Sequence, residues 1–233
     1  MPDRWMSAAH RNNLYTACRS KSSYIVNVMI KGNSHVRRFT EVVGKIFAHF
    51  GLTPNQWTFI SLIVVIIATW FIIAREFVTA AIIIVISLFI DVIDGAVARH
   101  TGQTTKSGGF LDTIIDRYVE GLIIFGLVWI ELPGFIVDAR IWLFVYFFGS
   151  FMTTYVKASA KEKELIDKEL IGGFLGRAER MILLVIGFLL APINPQYLVY
   201  IIAVLAILSN LSVFHRIWLA VNQSRSLSRS KLP

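Results

Sequence analysis

Cysteine is almost missing from this sequence: of 233 residues only Cys18 is one. A single cysteine excludes an intrachain disulfide and any thiolate metal cluster built within one chain. Charge is scarce too. Charged residues make up 16% of the chain, against about a quarter in a soluble domain. Apolar residues make up 55%, and mean hydropathy is +0.63, so a membrane protein is expected. Acids are the rarer sign, 15 against 23 Lys and Arg, for a net charge of +8. In a membrane that excess implies basic cytoplasmic loops and contact with anionic lipid. No nucleic-acid partner is expected, because the basic residues form no continuous stripe beside exposed aromatics. Residues 1–33 carry no signal-peptide core followed by a small-residue cleavage site. They read as a cytoplasmic extension of unknown role, or as an upstream start, with Met29 standing just before the patterned region.

What is present is apolar and helical, with no trustworthy internal repeat. A membrane helix needs roughly 20 mostly apolar residues. Six segments qualify, at about 56–74, 78–98, 110–130, 140–158, 175–192 and 196–219. The expected fold is therefore all-α: a bundle of six transmembrane helices within a membrane domain at 34–222, followed by a basic cytoplasmic tail at 223–233. Ahead of the first span, Val36, Phe39, Val42, Val43, Ile46, Phe47 and Phe50 recur at helical spacing. Residues 36–50 are thus expected to form an interfacial amphipathic helix. Orientation follows from Lys and Arg. Eight lie in the first 55 residues, Arg99 and Lys106 flank the loop after span two, and Lys157, Lys161, Lys163 and Lys168 follow span four. The tail adds Arg225, Arg229 and Lys231, whereas the opposite side has little beyond Arg75 and Arg140. Both termini are expected in the cytoplasm. The mixed-sign run KEKELIDKE (Lys161–Glu169) reads as a solvated helical connection.

Against this background, four aspartates sit in or beside apolar segments, in DVIDGAVARHTGQTTKSGGFLDTIID (Asp91–Asp116). A buried carboxylate costs several kcal/mol unless it is compensated. Asp91 and Asp94 are i and i+3 near the end of one helix, and Asp112 and Asp116 are i and i+4 near the start of the next. A short polar loop makes the helices antiparallel neighbours, so the two pairs face each other at one depth. Hard divalent cations, Mg2+ or Mn2+, relieve the repulsion and bind phosphates at the same time. No histidine or cysteine lies inside the helical stretches expected to carry the four acids, His100 being placed in the loop, which argues against zinc, and no Glu-x-x-His pair supports a di-iron bundle. Gly95, Ala98 and Gly108 leave space beside the acids, and Arg99 can grip a phosphate through two donors. Acids, divalent metal, open floor and arginine together describe a site for a diphosphate carried by a flat group. The plainer alternative is an ion-pair network capping two helix ends.

The pattern Asp-x2-Asp-Gly-x2-Ala-Arg-x8-Gly-x3-Asp-x3-Asp is complete, at Asp91, Asp94, Gly95, Ala98, Arg99, Gly108, Asp112 and Asp116. It resembles the hallmark of the CDP-alcohol phosphotransferase family. The resemblance extends over most of the chain from about residue 36, including a Thr-Pro-Asn turn at Thr53–Asn55. It implies transfer of a phosphoalcohol from a CDP-alcohol to a second alcohol, with release of CMP. It also implies that Asp91, Asp94 and Asp112 bind metal, that Asp116 is the general base and touches a second metal, and that Asn55, Asp91, Gly95, Ala98, Arg99 and Gly108 bind the CDP end. A homodimer is expected by resemblance alone.

The motif does not name the acceptor. Lys157, Arg177, Arg180 and Arg216 lie at the same expected membrane face, and such a cluster suits an acceptor that bears its own phosphate. Glu179 could orient one of these arginines. The arrangement is similar to the phosphatidylinositol-phosphate synthase branch of the family, and the GRAER segment is similar to archaeal members that use CDP-archaeol. The expected acceptor is myo-inositol 1-phosphate, and the expected donor is CDP-diacylglycerol or CDP-archaeol. Three alternatives stay open: a phosphatidylglycerol-phosphate synthase, another acceptor within the family, and an ion-coupled membrane transporter. The last would more naturally spread its acids through the membrane depth.

Overall fold

A computed structural model describes residues 34–166 and 173–230. The expectations placed on residues 1–33, on Lys168 and on Lys231 lie outside the described residues, as do the side chains of Arg225 and Arg229. The described residues form helices and turns, and the only extended pairing among them is an isolated bridge between Phe135 and Val137. In chain order the helices are α1 (Ser34–Ala48), α2 (Pro54–Ile73), α3 (Phe77–His100), α4 (Lys106–Val128), α5 (Ala139–Glu162), α6 (Arg177–Leu190) and α7 (Pro195–Ser230). Proline opens α2 and α7, where its missing N–H has no helical partner to lose. Thr105 caps α4, its hydroxyl accepting from Gly108 N, and Asp138 caps α5 by accepting from Arg140 N.

Among the described residues, four helices are long and apolar enough to cross a membrane: Pro54–Ile73, Phe77–His100, Ala139–Glu162 and Pro195–Ser224. The other two expected spans differ from these. α4 has the length, 23 residues, but carries Asp112, Asp116, Arg117 and Glu120. α6 has 14 residues, about 21 Å at 1.5 Å per residue, short of a hydrocarbon core of about 30 Å. Gly176 bounds it at the start and the Asn194–Pro195 pair follows its end. α5 stops inside the KEKELIDKE run. Lys163 N donates to Ser159 O at 2.9 Å, and Glu164 takes a left-handed φ of 53°, so the expected helical connection ends at Glu162.

The chain divides into two compact units, each described by itself. The first contains the described residues up to Pro54 together with Val92–Thr104. Here α1 lies close against the end of α3, because a Cβ on Gly44 would come within 2.6 Å of Ala96 O. Val43 of α1 is buried, whereas Phe39, Val42 and Ile46 are exposed.

The second unit contains Asn55–Asp91 and Thr105 onward. Its core joins Val65 and Ile72 of α2, Ile84 of α3, Ile123 and Leu127 of α4, Leu143 and Tyr146 of α5, Leu184 of α6 and Leu198 of α7, all fully buried. The outside is as apolar as the inside: Trp70 is 71% exposed and Phe144 67%. Such a surface needs lipid around it. The protein is integral to a membrane. Helices α5 and α7 approach closely at Gly149, where a Cβ would meet Asn210 Nδ2 at 2.5 Å. Asn210 Nδ2 donates across the gap to Val145 O at 3.0 Å, the small-residue and amide combination common between membrane helices.

Candidate metal and phosphate site

In the second unit, α3 contributes Asp91, and α4 contributes Asp112 and Asp116. The expected antiparallel turn brings them together: one carboxylate oxygen from each lies within 4.8 Å of the others. All three are partly buried. Arg177, from the first turn of α6, reaches into this group. Its Nη1 lies 2.9 Å from Asp91 Oδ2 and 2.7 Å from Asp116 Oδ1. The second contact is an ion pair off hydrogen-bond geometry, and Asp91 Oδ1 has no hydrogen-bond partner among the described residues. Three carboxylates around one arginine leave an excess of negative charge and a buried oxygen in want of a cation. The donor set is all oxygen, so these residues suit a hard divalent ion.

Asn55 and Gly108, both expected at the CDP end, are also brought together in this unit. A Cβ on Gly108 would lie 3.4 Å from Asn55 Oδ1 and 3.0 Å from Thr105 Oγ1. The missing side chain leaves room for the Thr105 hydroxyl that caps α4, and the amide of Asn55 lies against the same turn.

The first unit holds Asp94, Gly95, Ala98 and Arg99. Asp94 is buried, and Arg99 is close enough to feel its charge. The Arg99 guanidinium folds back over Gly95, where a Cβ would lie 3.2 Å from Nη1. Gly95 thus leaves room for the arginine as well as for a ligand.

The cations expected at the acceptor divide by position. Arg177 belongs with the aspartates. Arg180 is buried, with Nε donating to Glu120 Oε1 at 3.1 Å and Nη2 to Oε2 at 3.4 Å. Arg216 donates from Nη1 to Thr153 O at 2.7 Å and lies near enough to Arg180 and Arg117 to feel both charges. Lys157 stands one turn beyond Thr153 on α5, partly buried. The acid that holds Arg180 is Glu120. Glu179, the expected orienter, is exposed.

Sequence reasoning gave no role to Arg117 or Tyr146. Arg117 Nη1 lies 2.7 Å from Glu120 Oε2 and donates to Ser150 Oγ at 3.0 Å. Tyr146 Oη donates to Glu120 Oε1 at 2.8 Å. The available signal was Arg117 and Glu120 at i and i+3, just past Asp116, inside an expected span. No local spacing links either to residue 146 or 180.

The family profile described as CDP-alcohol phosphatidyltransferase matches residues 51–218. The chain belongs to the CDP-alcohol phosphatidyltransferase family. It is a membrane-embedded transferase of phospholipid biosynthesis, and the matched segment contains all eight motif positions. An archaetidylinositol phosphate synthase from Pyrococcus horikoshii is 34% identical over 172 residues, covering 73% of this chain and 86% of that one. The fold is shared with Mycobacterium tuberculosis phosphatidylinositol phosphate synthase. Its crystal structure with CDP-DAG bound matches with a TM-score of 0.69 and 24% identity, covering 78% of this chain and 94% of that one. A second structure of that enzyme, in complex with manganese and citrate, has the same TM-score, 0.69, and identity, 24%, covering 78% and 88%.

Proposed function

We propose that this transferase moves a phosphatidyl-type group from a CDP-lipid, CDP-diacylglycerol or CDP-archaeol, to myo-inositol 1-phosphate and releases CMP. One observation carries this reading: within one unit, a three-carboxylate cluster and an arginine-rich group meet through Arg177. The names of the relatives and structural neighbours support it.

Asp91, Asp94, Asp112 and Asp116 would hold Mg2+ or Mn2+. When bound, the cation supplies charge neutralisation on the diphosphate as CMP departs. Asn55, Asp91, Gly95, Ala98, Arg99 and Gly108 bind the CDP end. Lys157, Arg177, Arg180 and Arg216 attract and orient the acceptor phosphate. The acceptor hydroxyl oxygen bonds to the lipid-bearing phosphorus. The bond from that phosphorus to the bridging diphosphate oxygen breaks, and CMP leaves with the electron pair. The hydroxyl proton passes to Asp116, the general base.

The membrane domain spans 34–222 with six crossings, α4 and α6 being the two of mixed or short character. α1 lies at the interface with Phe39, Val42 and Ile46 toward lipid. The termini and the site face the cytoplasm, residues 1–33 are an extension, and 223–233 form a basic tail. A homodimer is the assembly the family resemblance implies. Purified protein with Mg2+ or Mn2+ and a CDP-lipid tests the acceptor. CMP should appear with inositol 1-phosphate and not with serine. CMP with glycerol 3-phosphate but not inositol 1-phosphate would replace the acceptor while keeping the reaction.

A further inference from the structure

Glu120 is an acid that the transfer reaction does not use. It lies one turn beyond Asp116 on α4, and its side chain is 2% exposed. An ionisable group at that position in an apolar bundle needs a reason. Its four contacts use up what a carboxylate can accept. Tyr146 Oη and Arg180 Nε reach Oε1, and Arg180 Nη2 and Arg117 Nη1 reach Oε2.

The composition of this group is unusual for a structural ion pair. Two arginines share one carboxylate, which leaves a net positive charge where burial disfavours any charge. A purely structural pair would be neutral. The excess does not end at Glu120. Arg117 Nη1 continues to Ser150 O and Oγ. Thr153 Oγ1 donates to the same Ser150 O at 2.7 Å, and Arg216 Nη1 donates to Thr153 O. Glu120 therefore holds Arg180 directly and, through its ion pair with Arg117, is tied to the Ser150–Thr153 turn of α5, whose main-chain carbonyl also holds Arg216.

Those two arginines share a destination. Arg180 turns its inner edge to Glu120 and leaves Nη1 beside Leu175 O, at 3.5 Å. The Arg216 guanidinium lies along the neighbouring Gly173, where a Cβ would come within 3.2 Å of Nε. Gly173 has a φ of 126°, a conformation that favours glycine. So the segment just before α6 is where both positive charges are delivered.

We infer that Glu120, anchored by Tyr146, is a positioning residue for the acceptor phosphate: it fixes Arg180 directly and ties Arg117 to the α5 turn that holds Arg216. This inference rests on the acceptor reading proposed above. It assigns Glu120 no contact with substrate and no proton to carry.

The test is steady-state CMP release by the purified full chain, varying inositol 1-phosphate and CDP-lipid separately. Mn2+ binding to the same samples is followed by electron paramagnetic resonance. Glu120→Gln should raise KM for inositol 1-phosphate on the scale at which outer supporting residues act, roughly 10- to 100-fold. KM for CDP-lipid and Mn2+ affinity should hold within about threefold, and Glu120→Asp should restore part of the acceptor KM. Tyr146→Phe removes one hydroxyl, and it should raise the acceptor KM in the same direction by a smaller factor. It serves as the deciding variant where Glu120→Gln does not fold. An unchanged acceptor KM in the folded variants overturns the inference, and so does a fall in activity that weakens both substrates and Mn2+ together. If the wild type uses glycerol 3-phosphate instead, the acceptor identity falls while the KM prediction is read on that phosphate. If it uses only an acceptor without phosphate, the inference falls as well.

Discussion

Asp116 and Glu120 lie one helical turn apart on α4, and their surroundings have opposite composition. Around Asp116, three carboxylates face one arginine, with a buried Asp91 oxygen that has no hydrogen-bond partner among the described residues. Around Glu120, two arginines and a tyrosine face one carboxylate, whose contacts are all taken. An acid excess calls for a cation, and a base excess calls for an anion. One turn of helix thus separates a place suited to a metal and its diphosphate from a place suited to a second phosphate. Arg177 stands between them, touching Asp91 and Asp116 and feeling the charge of Glu120. A transferase that must bring a metal-bound diphosphate to a phosphorylated alcohol needs both excesses, side by side and distinct.

The sharpest way to break this contrast is at the acid-rich side. Asp91→Asn should abolish Mn2+ binding and reduce CMP release below detection; retained Mn2+ affinity would mean the cluster is not the metal site. Next in size is Asp116→Asn. It should lower kcat by the 10²–10⁴-fold scale of a general base while much of the CDP-lipid binding survives. Wild-type turnover would remove Asp116 from the chemistry.

Much of the acid-rich side was legible in the sequence, because its geometry is local. Asp91 and Asp94, and Asp112 and Asp116, fall on helix faces by spacing alone, and a loop of a few residues makes the helices neighbours. Gly108 was legible as open space, and the structure adds that the Thr105 hydroxyl takes that space, with Asn55 beside it. The base-rich side was legible only as a list of cations. Arg180 was visible, but its partner Glu120 is 60 residues away on another helix, and nothing in the spacing favours Glu120 over the adjacent Glu179. Arg177 was expected at the acceptor phosphate, yet its guanidinium reaches Asp91, 86 residues away. Periodicity reports which face a side chain takes and not which helix lies opposite. At α6 the difference is local: the expected span, about 175–192, outruns the helix, Arg177–Leu190, because Gly176 precedes its start and a turn follows its end.

The base-rich side supplies a smaller effect. Arg216→Gln removes a charged donor worth about 1.5–3 kcal/mol. It should therefore raise KM for the phosphorylated acceptor by roughly 10- to 100-fold, with Mn2+ affinity unchanged. Loss of Mn2+ binding in this variant would merge the two regions into one. The smallest effect belongs to a control remote from both. A Cβ on Gly126 would lie 3.1 Å from Thr69 Cγ2 and 3.2 Å from Ile72. Gly126→Ala should therefore cost up to about 2 kcal/mol, overpacking of about 1–3 kcal/mol being offset by a helix-propensity gain of about 1 kcal/mol. The expected readout is a lower Tm in detergent, with both KM values and Mn2+ affinity preserved.

We propose that the base-rich turn reads a phosphate on the acceptor. The most direct test compares kcat/KM for CMP release with inositol 1-phosphate and with inositol, using one CDP-lipid and one metal. Removing the acceptor phosphate should lower kcat/KM at least 100-fold, about 2.7 kcal/mol of lost transition-state binding. Equal values for the two acceptors would contradict it, leaving the aspartates as the transfer site and the arginines without a phosphate to hold.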